Sequence, residues 1–171
     1  VDGDGRAEFM ASSPYRDGDD GPNYGVVYGM IDPAVTGTHD FQDHADFIVN
    51  GDSENNKLGM SIDSAFDLDS DGISDLAIGA SGENRGSSYQ GVGYVIYGPI
   101  TDLAGTYVLP GVDSAAFIGV TVHDNAGTLM VGGPDINNDG MDDLTVSAPR
   151  AELPGGTGSE GAVYTLFGRG F

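Results

Sequence analysis

The chain contains no cysteine, so neither disulfides nor thiolate metal sites are open to it. A disulfide-free fold that works outside the cell needs another staple, and bound metal is the usual substitute. Basic residues are scarce as well: six Lys and Arg face 27 Asp and Glu, for a formal net charge of −21. Such a charge repels nucleic acid and anionic lipid headgroups and attracts cations. No nucleic-acid partner is therefore expected. Glu is itself rare, confined to positions 8, 54, 83, 152 and 160, and the other 22 acids are Asp. Asp suits turns and metal loops, because its short side chain satisfies nearby backbone groups. No apolar run approaches the roughly 20 residues of a membrane-spanning helix, so membrane insertion is not expected. No basic-then-apolar leader opens the chain; an export signal is expected to lie outside these residues.

What is abundant is glycine, 29 of 171 residues. No long amphipathic helical pattern survives between the glycines, and short apolar runs bounded by Gly, Asp and Pro predict strands. The best helical stretch is Thr38 to Asn50, with Phe41, Ala45 and Ile48 at helical spacing. The aligned stretch from Thr106 carries Pro110 and Gly111, which a helix does not tolerate, so the helix is rejected.

That alignment belongs to a repeat. VDGDGRAEFMASSP begins at Val1, DLDSDGISDLAIGAS at Asp67 and DINNDGMDDLTVSAP at Asp135; Asp4, Asp71 and Asp139 are 67 and 68 residues apart. GVVYG, VGYVIYG and GAVYTLFG place Tyr28, Tyr97 and Phe167 at spacings of 69 and 70 residues. ADFIVNG at Ala45 answers AAFIGVT at Ala115. In the middle copy four antiparallel strands are predicted, at Leu58 to Phe66, Asp75 to Ala80, Gly91 to Tyr97 and roughly Gly105 to Ile118. Four strands at this period make an all-β propeller blade, and a blade must stack on neighbours to bury both faces. The chain then holds about two and a half blades of a larger propeller or assembly. Residues 1–52 form a partial blade lacking its first strand, 53–122 a complete blade, and 123–171 a partial blade lacking its last strand. The partial blades are complementary. A segment of a longer repeat protein is expected, or a homo-oligomer or filament in which chains complete one another's blades.

The Asp loops carry the chemistry. Asp67, Asp69 and Asp71 alternate, Gly72 permits a sharp turn, the carbonyl of Ile73 is a further ligand, and Asp75 clamps the ion. Calcium takes six to eight oxygens in flexible geometry, which alternating carboxylates around a turn supply. The third copy offers Asp135, Asn137, Asp139, the Met141 carbonyl and Asp143. The first offers Asp2, Asp4, the Arg6 carbonyl and Glu8, but lacks a first ligand. About three calcium sites are expected, the first incomplete. An EF-hand is excluded, because the twelfth loop positions are Ile78 and Val146 where that loop needs an acid.

These residues resemble the FG-GAP repeats of integrin α-subunit propellers and many bacterial surface proteins. GAP is answered by Gly79-Ala80-Ser81, Ser147-Ala148-Pro149 and Ser12-Ser13-Pro14, and FG by Leu58-Gly59 and Ala126-Gly127. The resemblance implies a propeller, usually seven-bladed, with calcium in the hairpin between a blade's first and second strands.

An enzyme is not expected. His39, His44 and His123 do not recur at the repeat period; His39 and His44, beside Asp40 and Asp43, read as a solvated loop or edge strand. No nucleophile elbow, phosphate-cradling loop or dinucleotide fingerprint is present. The expected function is a secreted or cell-surface adhesion scaffold whose loops meet a protein or glycan ligand. The alternatives are a lectin-like propeller, the non-catalytic propeller of a secreted polysaccharide-active enzyme, and a self-assembling filament subunit. Tyr28 and Tyr97, and Tyr94 and Tyr164, recur within strands and are expected in the core. Tyr15, Tyr24 and Tyr89 are the candidates for ligand contact. They lie in or beside the loops that vary most between copies, Tyr15 to Tyr24, Ser81 to Gln90 and Arg150 to Glu160, where specificity commonly resides.

Overall fold

Leu76–Ala80 reads Leu-Ala-Ile-Gly-Ala and Val92–Ile96 reads Val-Gly-Tyr-Val-Ile, and all ten residues are buried. Strands covered on both faces read this way, as unbroken apolar or small runs. The computed structural model that shows this describes residues 2–17, 21–31, 36–86, 88–100, 105–111, 114–156 and 158–169. Residues 18–20, 87 and 157 of the variable loops, and 112 and 113 of the predicted fourth strand, lie outside the described residues.

In chain order the elements are β1 (Phe9–Ser13), β2 (Val26–Met30), the single helical turn α1 (Phe41–His44), β3 (Phe47–Asn50), β4 (Leu58–Asp63), β5 (Leu76–Ala80), β6 (Val92–Ile96), β7 (Gly105–Val108), β8 (Ser114–Ile118), β9 (Met130–Gly132), β10 (Leu144–Ala148) and β11 (Ala162–Leu166). They form three sheets of order β1-β2-β3-β7, β4-β5-β6-β8 and β11-β10-β9. The protein is all-β, as expected from sequence. The middle sheet is the four-stranded antiparallel meander predicted for one blade.

Two expectations need correction. The fourth strand was expected to run from Gly105 to Ile118, but the chain divides it: β8 closes the middle sheet, while β7 runs parallel to β3 at the outer edge of the first sheet. Between them lie Pro110 and Gly111. Proline has no N–H for a ladder, and here the pair ends one strand before another begins. The first sheet therefore borrows a strand from beyond residue 52. The helix was rejected from Thr38 to Asn50, with a solvated loop or edge strand expected around His39 and His44, yet Phe41–His44 makes one helical turn, closed by Ala45 N–H donating to Phe41 O at 2.9 Å. The turn stacks Phe41 on Phe9 and Tyr28, with ring centroids 5.8 and 6.1 Å apart.

The sheets pack face to face, and strand alternation decides what meets. Leu76, Ile78 and Ala80 of β5 join Val92, Tyr94 and Ile96 of β6 in a core with Val27, Phe47 and Val49 of the first sheet. The opposite face of these strands carries Ala77, Gly79, Gly93 and Val95, and the bulk there comes from Met130, Leu144 and Val146 of the third sheet. Large residues oppose small ones, as close packing requires, and each buried Leu or Ile contributes about 1.5–3 kcal/mol. A Cβ on Gly79 would collide with the backbone carbonyl of Gly127. The GAP and FG positions thus bring neighbouring blades into backbone contact. Of the tyrosines expected in the core, Tyr94 is fully buried, with its hydroxyl donating to Glu83 Oε1 at 2.6 Å, whereas Tyr164 is 43% exposed.

Candidate metal centres

Each Asp-rich segment joins the first and second strands of a blade, or in the first sheet leads directly into β1. The three segments share one hydrogen-bonding scheme. The fifth-position N–H donates to the third-position side chain: Asp4 to Asp2 Oδ1 at 3.0 Å, Asp71 to Asp69 Oδ1 at 3.2 Å, and Asp139 to Asn137 Oδ1 at 3.0 Å. The seventh-position N–H donates to the fifth-position carboxylate: Arg6 to Asp4 at 2.8 Å, Ile73 to Asp71 at 2.7 Å, and Met141 to Asp139 at 3.0 Å. In the two loops that have a first-position acid, Gly72 and Gly140 donate to Asp67 Oδ2 and Asp135 Oδ2, both at 2.8 Å.

The backbone repeats as closely. Gly5, Gly72 and Gly140 take φ of 82°, 88° and 90°, a left-handed conformation that glycine adopts without strain. No neighbour crowds these three positions, so the dihedral and not space calls for glycine. Two positions earlier, Gly3, Ser70 and Asn138 are left-handed too, at 82°, 61° and 61°. This second turn position went unread in the sequence, because three different residue types occupy it.

The turns gather oxygen. Carboxylate atoms of Asp67, Asp69 and Asp71 lie within 4.8 Å of one another, and so do those of Asp2, Asp4 and Glu8. The third loop follows the same scheme with the Asn137 amide in place of one carboxylate. These donors are hard oxygens on flexible turns and fit a hard divalent cation of calcium's size. Desolvation, together with the neighbouring charges of Asp71 and Asp67, pushes the Asp69 carboxyl above its ordinary value.

The ninth-position acids of the second and third loops are more deeply buried than these clusters. Asp75 and Asp143 are fully buried. Asp75 accepts from Leu68 N at 2.8 Å and Gly98 N at 3.0 Å; Asp143 accepts from Ile136 N at 2.7 Å and Gly168 N at 3.0 Å. Each thus pins the loop entrance and the end of the third strand to the start of the second. Glu8 holds the same position and accepts from Asp2 N at 3.3 Å. Burial pushes Asp75 up to about 6. Asp142 was not singled out by sequence, being one acid beside another; its Oδ2 accepts from Asp67 N at 3.0 Å.

His39 and His44 have rings 4.3 Å apart and bond to backbone carbonyls of Thr36 and Asp40. They do not join a metal-binding group among the described residues.

No curated protein matches the chain. Comparison with protein families matches the FG-GAP repeat twice, over residues 58–96 and 126–166. Each match runs from just before or at a blade's first strand through its third, β4–β6 in one and β9–β11 in the other. Both enclose a complete Asp loop. The chain carries two FG-GAP repeats, and its sheets are blades of the β-propeller type that such repeats build.

Proposed function

We propose that this chain is a calcium-stabilised propeller scaffold, secreted or displayed at a cell surface, that binds a partner and does not catalyse. The observation that carries the reading is the threefold recurrence of one loop, alike in hydrogen bonds and dihedrals, with oxygen donors converging inside it. Asp67, Asp69 and Asp71 would hold one ion, with the Ile73 carbonyl and Asp75 completing the set. Asp135, Asn137, Asp139, Met141 and Asp143 would hold a second, and Asp2, Asp4, Arg6 and Glu8 a third. The ion supplies positive charge where crowded carboxylates otherwise repel. Magnesium fits less well, since it demands tight octahedral geometry and keeps its waters.

Because the loops bind the ion only when folded, binding free energy becomes folding free energy. Open sites of this kind are tuned to extracellular calcium, with dissociation constants on the order of 0.1–1 mM. Three ions would offset six of the 21 net negative charges. The blades then present their connecting loops as a stiff surface for a protein or glycan. Titration calorimetry tests the reading: calcium should fill the loop sites, and equal magnesium should not displace it. Absence of calcium binding would refute it.

A further inference from the structure

Two of the cations that make no ion pair among the described residues line one cavity. A cavity of about 540 Å³ lies between the second and third blades, and its lining includes Lys57, Tyr89, His123, Asn125, Thr128 and Arg150. The chain has six Lys and Arg. Arg6 pairs with Asp4 and Arg85 with Glu83. Among the described residues neither Lys57 nor Arg150 makes an ion pair, although 27 acids are at hand. The Lys57 ammonium lies 5.9 Å from the Tyr15 ring centroid instead. Two uncompensated cations in one cavity of so acidic a protein select for an anionic group.

The backbone around the cavity is strained at one telling position. The two blade junctions share a hydrogen-bond pattern: Leu58 and Ala126 donate to Tyr24 and Gln90, Lys57 and Asn125 to Asn23 and Tyr89, and Asn55 and His123 to Pro22 and Ser88. Asn23 therefore corresponds to Tyr89, and Asn55 to His123. All four are left-handed, with φ of 55°, 53°, 59° and 69°. Asn adopts this conformation readily, His less so, and Tyr is an outlier there. At the first junction Asn23 Nδ2 simply donates to Asn55 Oδ1 at 3.1 Å. At the second, the Tyr89 and His123 rings stack, 5.7 Å apart and 19° from parallel. Packing alone would be served by Asn, as it is one repeat earlier. Strain accepted for an aromatic pair at a cavity wall points to a ligand.

We propose that this cavity binds a carboxylated saccharide. Lys57 and Arg150 would hold the carboxylate, the Tyr89–His123 pair offers a flat face to the sugar ring, and Asn125 and Thr128 supply polar groups for hydroxyls. An acidic peptide would need the cations but not the paired rings, and an open cavity of this size suits a ring or two better than an extended chain. The site lies away from the Asp loops: Lys57 precedes β4 and Arg150 follows β10, whereas the loops join the opposite ends of those strands. The inference rests on the scaffold reading only in needing the second and third blades packed together.

A glycan array carrying hexuronate- and sialate-bearing oligosaccharides beside matched neutral ones tests the proposal, followed by calorimetry on the best hit. Carboxylated glycans alone should bind. Lys57→Gln and Arg150→Gln should each weaken the hit about tenfold or more, as losing a charge-assisted hydrogen bond does. Tyr89→Asn should also weaken it, while leaving the melting temperature equal or higher because the strain is relieved. Binding of neutral and carboxylated glycans alike, an affinity unmoved in Arg150→Gln, tighter binding of tetraglutamate than of any glycan, or no glycan bound would each overturn it. The same samples melted with calcium and with chelator keep the two readings separate. A glycan hit without a calcium shift would sink the calcium reading alone, and a calcium shift without a hit would sink the cavity.

Discussion

The backbone N–H of Asp67 donates to Asp142 Oδ2 at 3.0 Å, joining the first position of one Asp loop to the eighth position of the next. Arg169 N–H reinforces the join by donating to Leu68 O at 3.0 Å. On the other side, Ile73 of the middle loop packs beside Gly3 of the first. The three loops therefore form one contiguous edge across the blades, and ordering one of them steadies its neighbour.

Asp142→Ala removes this link without removing a proposed ligand. The expected cost is about 0.5–1.5 kcal/mol in calcium, the usual net worth of a hydrogen bond, with the number of bound ions unchanged. Urea melts read the first quantity and calorimetry the second; a lost ion would make Asp142 a ligand in its own right.

Asp71→Ala removes a carboxylate from the middle cluster and the acceptor that Ile73 N–H uses. One ion should be lost, and amide exchange should accelerate locally in the β4–β5 hairpin. The matching change at Asp4 removes the acceptor that Arg6 N–H uses and should likewise weaken the first site. Unchanged calcium stoichiometry in Asp71→Ala would contradict the assignment.

Gly79→Ala puts a methyl group against the Gly127 carbonyl. Backbone cannot yield as a flexible side chain does, so the junction between the second and third blades should open. The expected destabilisation is about 1–3 kcal/mol or more, against a small effect for alanine at the neighbouring Ser81. Equal melting temperatures for Gly79→Ala and the parent would show that the blades do not approach as described.

Without calcium, Asp75 gives the protein an acid-side preference. Burial raises its carboxyl from 3.8 to about 6, so between those values the folded chain holds a proton that the unfolded chain has released. Its contribution to stability is present at low pH and is lost as pH rises from about 4 to about 6. Chelator melts across this window should show parent stability falling relative to Asp75→Asn. Calcium favours the ionised carboxylate and should abolish the fall. A parent curve parallel to that of Asp75→Asn would refute the buried titration.

Much of this was legible because repetition averages out local ambiguity. One Asp-rich turn is ambiguous, but three in register placed the strands on either side of Asp67–Asp75 to within a residue or three. The division of the predicted fourth strand was not read, although Pro110 and Gly111 marked it: they had been used to reject a helix but not to interrupt a strand. The turn at Phe41–His44 depends on stacking with Phe9 and Tyr28, far away in sequence. Tyr89 was singled out but His123 was set aside for not recurring. Their stacking, like the cavity that Lys57 and Arg150 both line, exists only once two blades pack.

The central claim is that the Asp loops are calcium sites holding the blades together, and a thermal melt tests it most directly. The protein would be melted with calcium, with chelator, and with magnesium at the calcium concentration. The account predicts a large rise in melting temperature that calcium gives and magnesium does not. Identical melting curves in calcium and chelator would contradict it and return the loops to ordinary Asp-rich turns.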